Sequence, residues 1–279
     1  MLTRLAGAIL RAVLVLLVTA APAMLLPGAS ADTRMTMMLV ALFVGAFIFV
    51  EYNIAYPSLV TFRDAAPFNR IRFGGLAIIL VLLPLMLTGS TGSLHDLLMA
   101  VGRLLAGGLD FPYSPVRLMV LMMPQDAPPA LLESVRVTAA VAYLVSLAML
   151  VVFVIHQRLS GWPLNRGGFN VWVNLPTFDP TAGGDVVDRL SRDAVIHLVA
   201  GFLLPFVIPA LVKLVSTLFD PLNLAEPHTL IWMTTLWAIG PASLLMKGLA
   251  LNRVAQMIRV QRLRGAARAA EAEGELAAA

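Results

Sequence analysis

Near-chargeless stretches of about 20 residues recur along this chain, at residues 8–26, 36–55, 73–89, 135–156, 195–218 and 229–251. A helix rising 1.5 Å per residue needs roughly 20 apolar residues to cross about 30 Å of hydrocarbon. Each stretch therefore reads as a crossing. Composition agrees, with 59% of residues hydrophobic and 13% charged, against about 45–50% and 25% in soluble domains. We expect an all-α integral membrane protein, a polytopic bundle of about six transmembrane helices with short interfacial helices, forming a single transmembrane domain over 1–279. Disorder, nucleic-acid binding and an ordinary soluble enzyme are excluded on the same grounds.

Arginines orient the bundle, because cytoplasmic flanks carry them in excess. With the N-terminus inside, 14 arginines fall on inner flanks, among them Arg4, Arg11, Arg63, Arg166 and Arg189, while four, Arg34, Arg103, Arg117 and Arg136, fall outside. The expected location is the plasma membrane of bacterial inner-membrane type, multi-pass, with the C-terminus cytoplasmic. Residues 1–31 admit two roles. They can be the first span, or a cleaved signal with a basic start, an apolar stretch Ala12–Leu26, a break at Pro27-Gly28 and an Ala29-Ser30-Ala31 cleavage site, leaving five spans.

Two connections are too long for turns. The outer one, 90–134, holds an amphipathic pattern over 93–105, with Ser93 as N-cap and Leu94, Leu97, Leu98, Val101 and Leu105 dipping into the interface. A second short helix follows, for which Ser114 is the cap and Pro115 the first residue. Being too short to cross, these segments are expected to form an outer interfacial lid. The inner connection, 157–193, mixes aromatics with turn formers and is expected to be an ordered cytoplasmic loop. Trp162, Phe169, Trp172 and Phe178 are placed at headgroup level, as an aromatic anchor or a docking surface for another protein. In the tail 252–279, Arg253, Arg259, Arg262 and Arg264 alternate with apolar residues and are expected to attract anionic lipid at about 1 kcal/mol each, ahead of an Ala/Glu-rich end.

Charges inside the bilayer are costly and are the first functional candidates. Three stand out: Glu51, Lys247 and Lys213. Glu51 and Lys247 share a depth near the inner side and are expected to pair or to relay ions, and Lys213 is expected to reach outward toward Asp220 or Glu226. Prolines 205, 209 and 241 interrupt the last two spans. His156 and His197 lie at the inner boundary and are weak haem candidates. Asp179, Asp185, Asp188 and Asp193 offer a loose set of cytoplasmic carboxylates. No cysteine is present, which removes disulfides, thiolate metal sites and cysteine nucleophiles. No complete catalytic set, cofactor motif or metal set emerges.

The functional expectation is a non-catalytic accessory, scaffold or assembly component of a larger membrane complex, partnered by membrane lipids and other integral membrane proteins. A small transporter or channel-like component using Glu51 and the proline-broken helices is the alternative. A b-type haem protein or other membrane enzyme is the third.

Overall fold

A computed structural model describes residues 2–88, 92–163, 169–179, 181–218 and 225–278. Arg166, the Gly167-Gly168 pair, Pro180 and Asp220 lie outside the described residues. No strand occurs among the described residues, and helices α1 (Leu2–Leu25), α2 (Ala31–Asn53), α3 (Phe68–Leu87), α4 (Ser93–Leu109), α5 (Pro115–Leu121), α6 (Pro129–Leu159), α7 (Val171–Asn174), α8 (Val186–Leu218) and α9 (Pro227–Ala278) make up the fold. Six of them, α1, α2, α3, α6, α8 and α9, are long and apolar enough to cross a membrane. Their positions follow the six apolar stretches of the sequence. The ends also alternate: the loops joining α2 to α3 and α6 to α8 touch one another and the C-terminal half of α9, which defines an arginine-rich end of the bundle.

Local chemistry explains the boundaries. After α1, Gly28 takes φ +85°, a left-handed turn open to glycine, and Ser30 then accepts the Thr33 amide at 3.0 Å to start α2. The two helices form a close hairpin in which Gly45 faces Leu16 and the Ala12 carbonyl. Ser114 accepts the Arg117 amide at 3.0 Å and Pro115 opens α5. At α4 the expectation is corrected. Gly92 holds the N-cap position, Ser93 is already helical, and the helix runs on to Leu109.

Helices α3, α6 and α9 form the centre, with α1 and α2 added on the α3 side and α8 packed along α9. In the apolar stretches of α2 and α8 only 17% of residues are buried, against 44% in α6 and 50% in α9, so α2 and α8 are the edges. Small residues set the central spacing. Thr138, Ala142 and Ser146 on α6 are all buried, as expected of a stripe that admits a neighbouring helix closely. Gly201 on α8 and Gly248 on α9 bring backbones together: a Cβ on the first would sit 2.8 Å from the Leu245 nitrogen and the Pro241 oxygen, and one on the second 2.9 Å from the Ala194 oxygen.

The lid differs from its expected form by having two apolar faces. Leu98, Met99 and Leu105 of α4 pack inward on the core formed by Leu83, Met86, Val137 and Met119, whereas Leu94, Leu97, Val101 and Leu104 are exposed. Gly102 makes the approach possible, since a Cβ there would meet Met86 and Val137 at 2.6 Å. The last helix continues through the Ala/Glu-rich end. Helix α9 is 52 residues long, about 78 Å at 1.5 Å per residue.

Candidate functional site

The polar side chains singled out by sequence converge mainly at the arginine-rich end. Glu51 sits in the last turn of α2, where a carboxylate faces unfavourable helix-terminal carbonyls, yet it is only 1% exposed. Its compensation is local. The chain folds back so that Ser58 N, Leu59 N and Val60 N donate to the carboxylate at 2.9–3.1 Å, joined by the Ser58 hydroxyl. Arg63 closes the same turn from the other side, donating to the carbonyls of Glu51 and Ile54 at 3.0 and 2.8 Å and of Ala55 at 3.0 Å. Arg4 of α1 also donates to the Ile54 carbonyl. Positive charge thus satisfies the helix C-terminus that would otherwise keep orphan carbonyls.

The expected Glu51–Lys247 pair is corrected by this arrangement. No ion pair joins the two among the described residues, and all four donors on Glu51 come from residues 58–60. Among the described residues, which do not include Asp220, Lys213 pairs with no acid either. Its ammonium donates to the Leu121 carbonyl at the end of α5, at 2.6 Å, which ties α8 to α5 and supplies the C-terminus of a short helix with a cation.

The inner aromatic cluster is also partly corrected. Trp162 is fully buried inside the protein rather than seated among headgroups. Its ring meets Phe62, Phe68 and Phe153 with centroids 5.4, 6.4 and 5.2 Å away, and Phe169 lies 6.2 Å from Phe62. The indole N–H donates to the Ala65 carbonyl at 3.0 Å, satisfying the polar atom that burial would orphan. Phe178 is buried as well, under the Arg189 guanidinium at 4.7 Å. Trp172 alone of the four is exposed, at 53%. Asn174 rivets the loops together: its carbonyl accepts Phe62 N at 2.7 Å and its side-chain oxygen accepts Asp64 N at 3.0 Å. Phe62 holds φ +53°, a conformation costing an L residue about 1–2 kcal/mol, and its ring is locked inside the cluster.

The tail arginines divide. Arg253 donates through Nε to the Trp162 carbonyl at 3.2 Å, and Arg262 bonds Asp185 at 2.5 Å, while Arg259 and Arg264 are exposed. Asp185 uses its other oxygen to accept the amides of Val187 and Asp188 at the start of α8. The Arg262 guanidinium, helped by those amides, holds the Asp185 carboxyl below its ordinary value. Asp179 is likewise lowered, first by the Thr181 hydroxyl and then by the Thr181 amide. Neither histidine of the inner boundary converges on a partner histidine: His156 shares a bond with the Ser160 hydroxyl at 2.9 Å, and His197 with the Asp193 carbonyl at 2.7 Å. No group of three His, Asp or Glu side chains suited to a metal occurs among the described residues.

Sequence reasoning missed the polar centre of the lid. The Asp110 side chain is 3% exposed and is bridged by Arg117 at 2.8 Å and Arg136 at 2.7 Å, with Glu133 joining Arg136 at 3.5 Å and Arg103 at 3.4 Å. These five residues pin α4, α5 and α6 together. The available signal was an isolated aspartate between two short helices, with Arg103, Arg117 and Arg136 nearby in sequence. His228 at the start of α9 is buried, and its ring makes no hydrogen bond to another described residue.

Compared with protein families, with curated proteins and with solved structures, the chain finds no match.

Proposed function

We propose that this chain is a non-catalytic multi-pass membrane protein, an accessory, scaffold or assembly component that binds other integral membrane proteins. The observation that supports the reading is how the buried charges are used. Glu51 closes the α2–α3 loop and Asp110 closes the lid, so both serve the fold's own integrity. Meanwhile α2 and α8, at separate edges, present apolar side chains along their length, with Phe43 75% and Phe202 65% exposed. Faces of this kind suit lipid and partner helices alike. In this reading the bundle is a rigid spacer with two docking edges, lying in a bacterial-type inner membrane with its C-terminal helix on the cytoplasmic side.

The test is site-specific photo-crosslinking from positions 43 and 202 in native membranes, followed by purification of the full chain in mild detergent. A single membrane protein crosslinked at one edge and retained stoichiometrically is the expected result. Lipid adducts alone at both positions would refute the scaffold, and a Soret band in the purified chain would refute its non-catalytic character.

The transporter reading has one feature in its favour, the prolines of α8 and α9. Pro205 and Pro209 lie inside α8 and Pro241 inside α9, but each helix continues through them. The Trp237 indole donates to the Pro205 carbonyl at 3.0 Å, which favours packing over gating as their role.

A further inference from the structure

At the arginine-rich end, the last turns of α6 and the middle of α9 enclose a groove of about 450 Å³ lined by Gln157, Arg158, Leu249, Asn252, Arg253 and Gln256. Its size lies within the range of small-molecule sites, about 300–1,000 Å³. Its polar side chains are two guanidinium groups and three carboxamides, and no carboxylate lines it. Arg253 is held by its Nε on the Trp162 carbonyl, which leaves its terminal nitrogens for another acceptor. Gln157 is anchored in the same way, donating to the Leu249 carbonyl at 3.3 Å. Arg158 is exposed, and no described residue pairs with it. A groove with fixed donors, net positive charge and one idle arginine calls for an oxyanion, and planar guanidinium groups favour a bidentate one.

The surroundings indicate which oxyanion. Ile155 and Leu159, on the same last turns of α6, are 51% and 82% exposed, so apolar surface adjoins the groove where the span ends. We infer that the groove binds the phosphodiester headgroup of an anionic phospholipid, with Arg158 and Arg253 on the phosphate and the carboxamides of Asn252 and Gln256 on the headgroup's hydroxyl groups. The acyl chains then follow Ile155 along α6. This site rests on the membrane reading but needs no protein partner, so its failure and that of the scaffold are separately visible.

The experiment uses the full chain purified in mild detergent, titrated with short-chain phosphatidylglycerol, short-chain phosphatidylcholine and inorganic phosphate, and read by native mass spectrometry and thermal shift. One phosphatidylglycerol per chain is expected to be retained, in preference to phosphatidylcholine and undisplaced by equimolar phosphate. Arg158→Gln, whose side chain makes no hydrogen bond or ion pair with a described residue, should weaken retention about fivefold, the loss of one arginine's attraction near a membrane surface, with an unchanged melting temperature in the absence of lipid. Arg259→Gln, exposed on α9 but outside the groove, should leave retention unchanged. Equal loss in both variants would reduce the effect to diffuse charge and overturn the site. Displacement by inorganic phosphate, or equal binding of phosphatidylcholine, would overturn the lipid assignment.

Discussion

Replacing Trp237 by Phe tests how this bundle accommodates proline. Pro209 has no N–H, so the Pro205 carbonyl four residues earlier loses its intrahelical donor. The structure replaces that donor from the next helix: Trp237 Nε1 reaches the Pro205 carbonyl at 3.0 Å from a position only 1% exposed. Trp237→Phe removes the bond and also shrinks the ring that packs 5.6 Å from Tyr143. Interhelical hydrogen bonds in membranes contribute about 0.6 kcal/mol on average and up to about 1.7, and an acceptor left unpaired in apolar surroundings costs about 1–3 kcal/mol. A double-mutant cycle separates the bond from the cavity, because Pro209→Ala restores an N–H to the same carbonyl while leaving the ring untouched. The Trp237→Phe cost should therefore be about 1 kcal/mol greater when Pro209 is present than in the Pro209→Ala background. Equilibrium unfolding by SDS in mixed micelles, followed by circular dichroism, measures all four corners. Equal costs in the two backgrounds, within about 0.3 kcal/mol, would refute the argument that the indole substitutes for the missing amide.

Four further outcomes follow from the same structure. Gly248→Ala should lower the melting temperature by an amount equivalent to about 1–3 kcal/mol of overpacking, because its Cβ would lie 2.9 Å from the Ala194 oxygen. By contrast Gly240→Ala, with open space around it on the same helix, should gain up to about 1 kcal/mol from helix propensity. Glu51→Gln puts an amide where four donors converge and should destabilise by about 1–3 kcal/mol, seen as faster proteolysis within residues 54–67, while Lys247→Met leaves that loop unchanged. The Asp185–Arg262 contact should depend on pH with a defined sign. Since the folded carboxyl is lowered, its contribution is present above the unfolded value of about 3.9 and is lost as pH falls through the lower folded value. Spin labels on the α8 start and on α9 near residue 262 should therefore separate only at acid pH, and Asp185→Asn should remove that dependence.

The long apolar helices were legible because apolar length is a one-dimensional property. Residues 36–55 correspond to Ala31–Asn53 and 229–251 lie inside α9, and the Ser114–Pro115 helix start was readable for the same local reason. Rotation about each helix axis was not. Glu51 and Lys247 share a depth, which is what residue counting supplies, but the carboxylate is claimed by residues seven to nine positions later in a loop whose path no periodicity announces. Trp162 misled for a related reason, since indole is favoured both at headgroups and in a hydrogen-bonded core, and the choice depends on whether a carbonyl such as that of Ala65 waits nearby. Asp110 meets arginines 7 and 26 positions away, a convergence created only when α4, α5 and α6 fold together.

The length of α9 has a mechanical meaning. From Asn252 to Ala278 it adds 27 residues, a rod of roughly 40 Å, rigidly continuous with a helix at the centre of the bundle. A tilt of about 5° within the bundle would sweep the tip of such a rod by roughly 3–4 Å, as a needle magnifies the small rotation of its dial. The tie between Arg262 and Asp185 sits partway along that needle and sets how freely it swings.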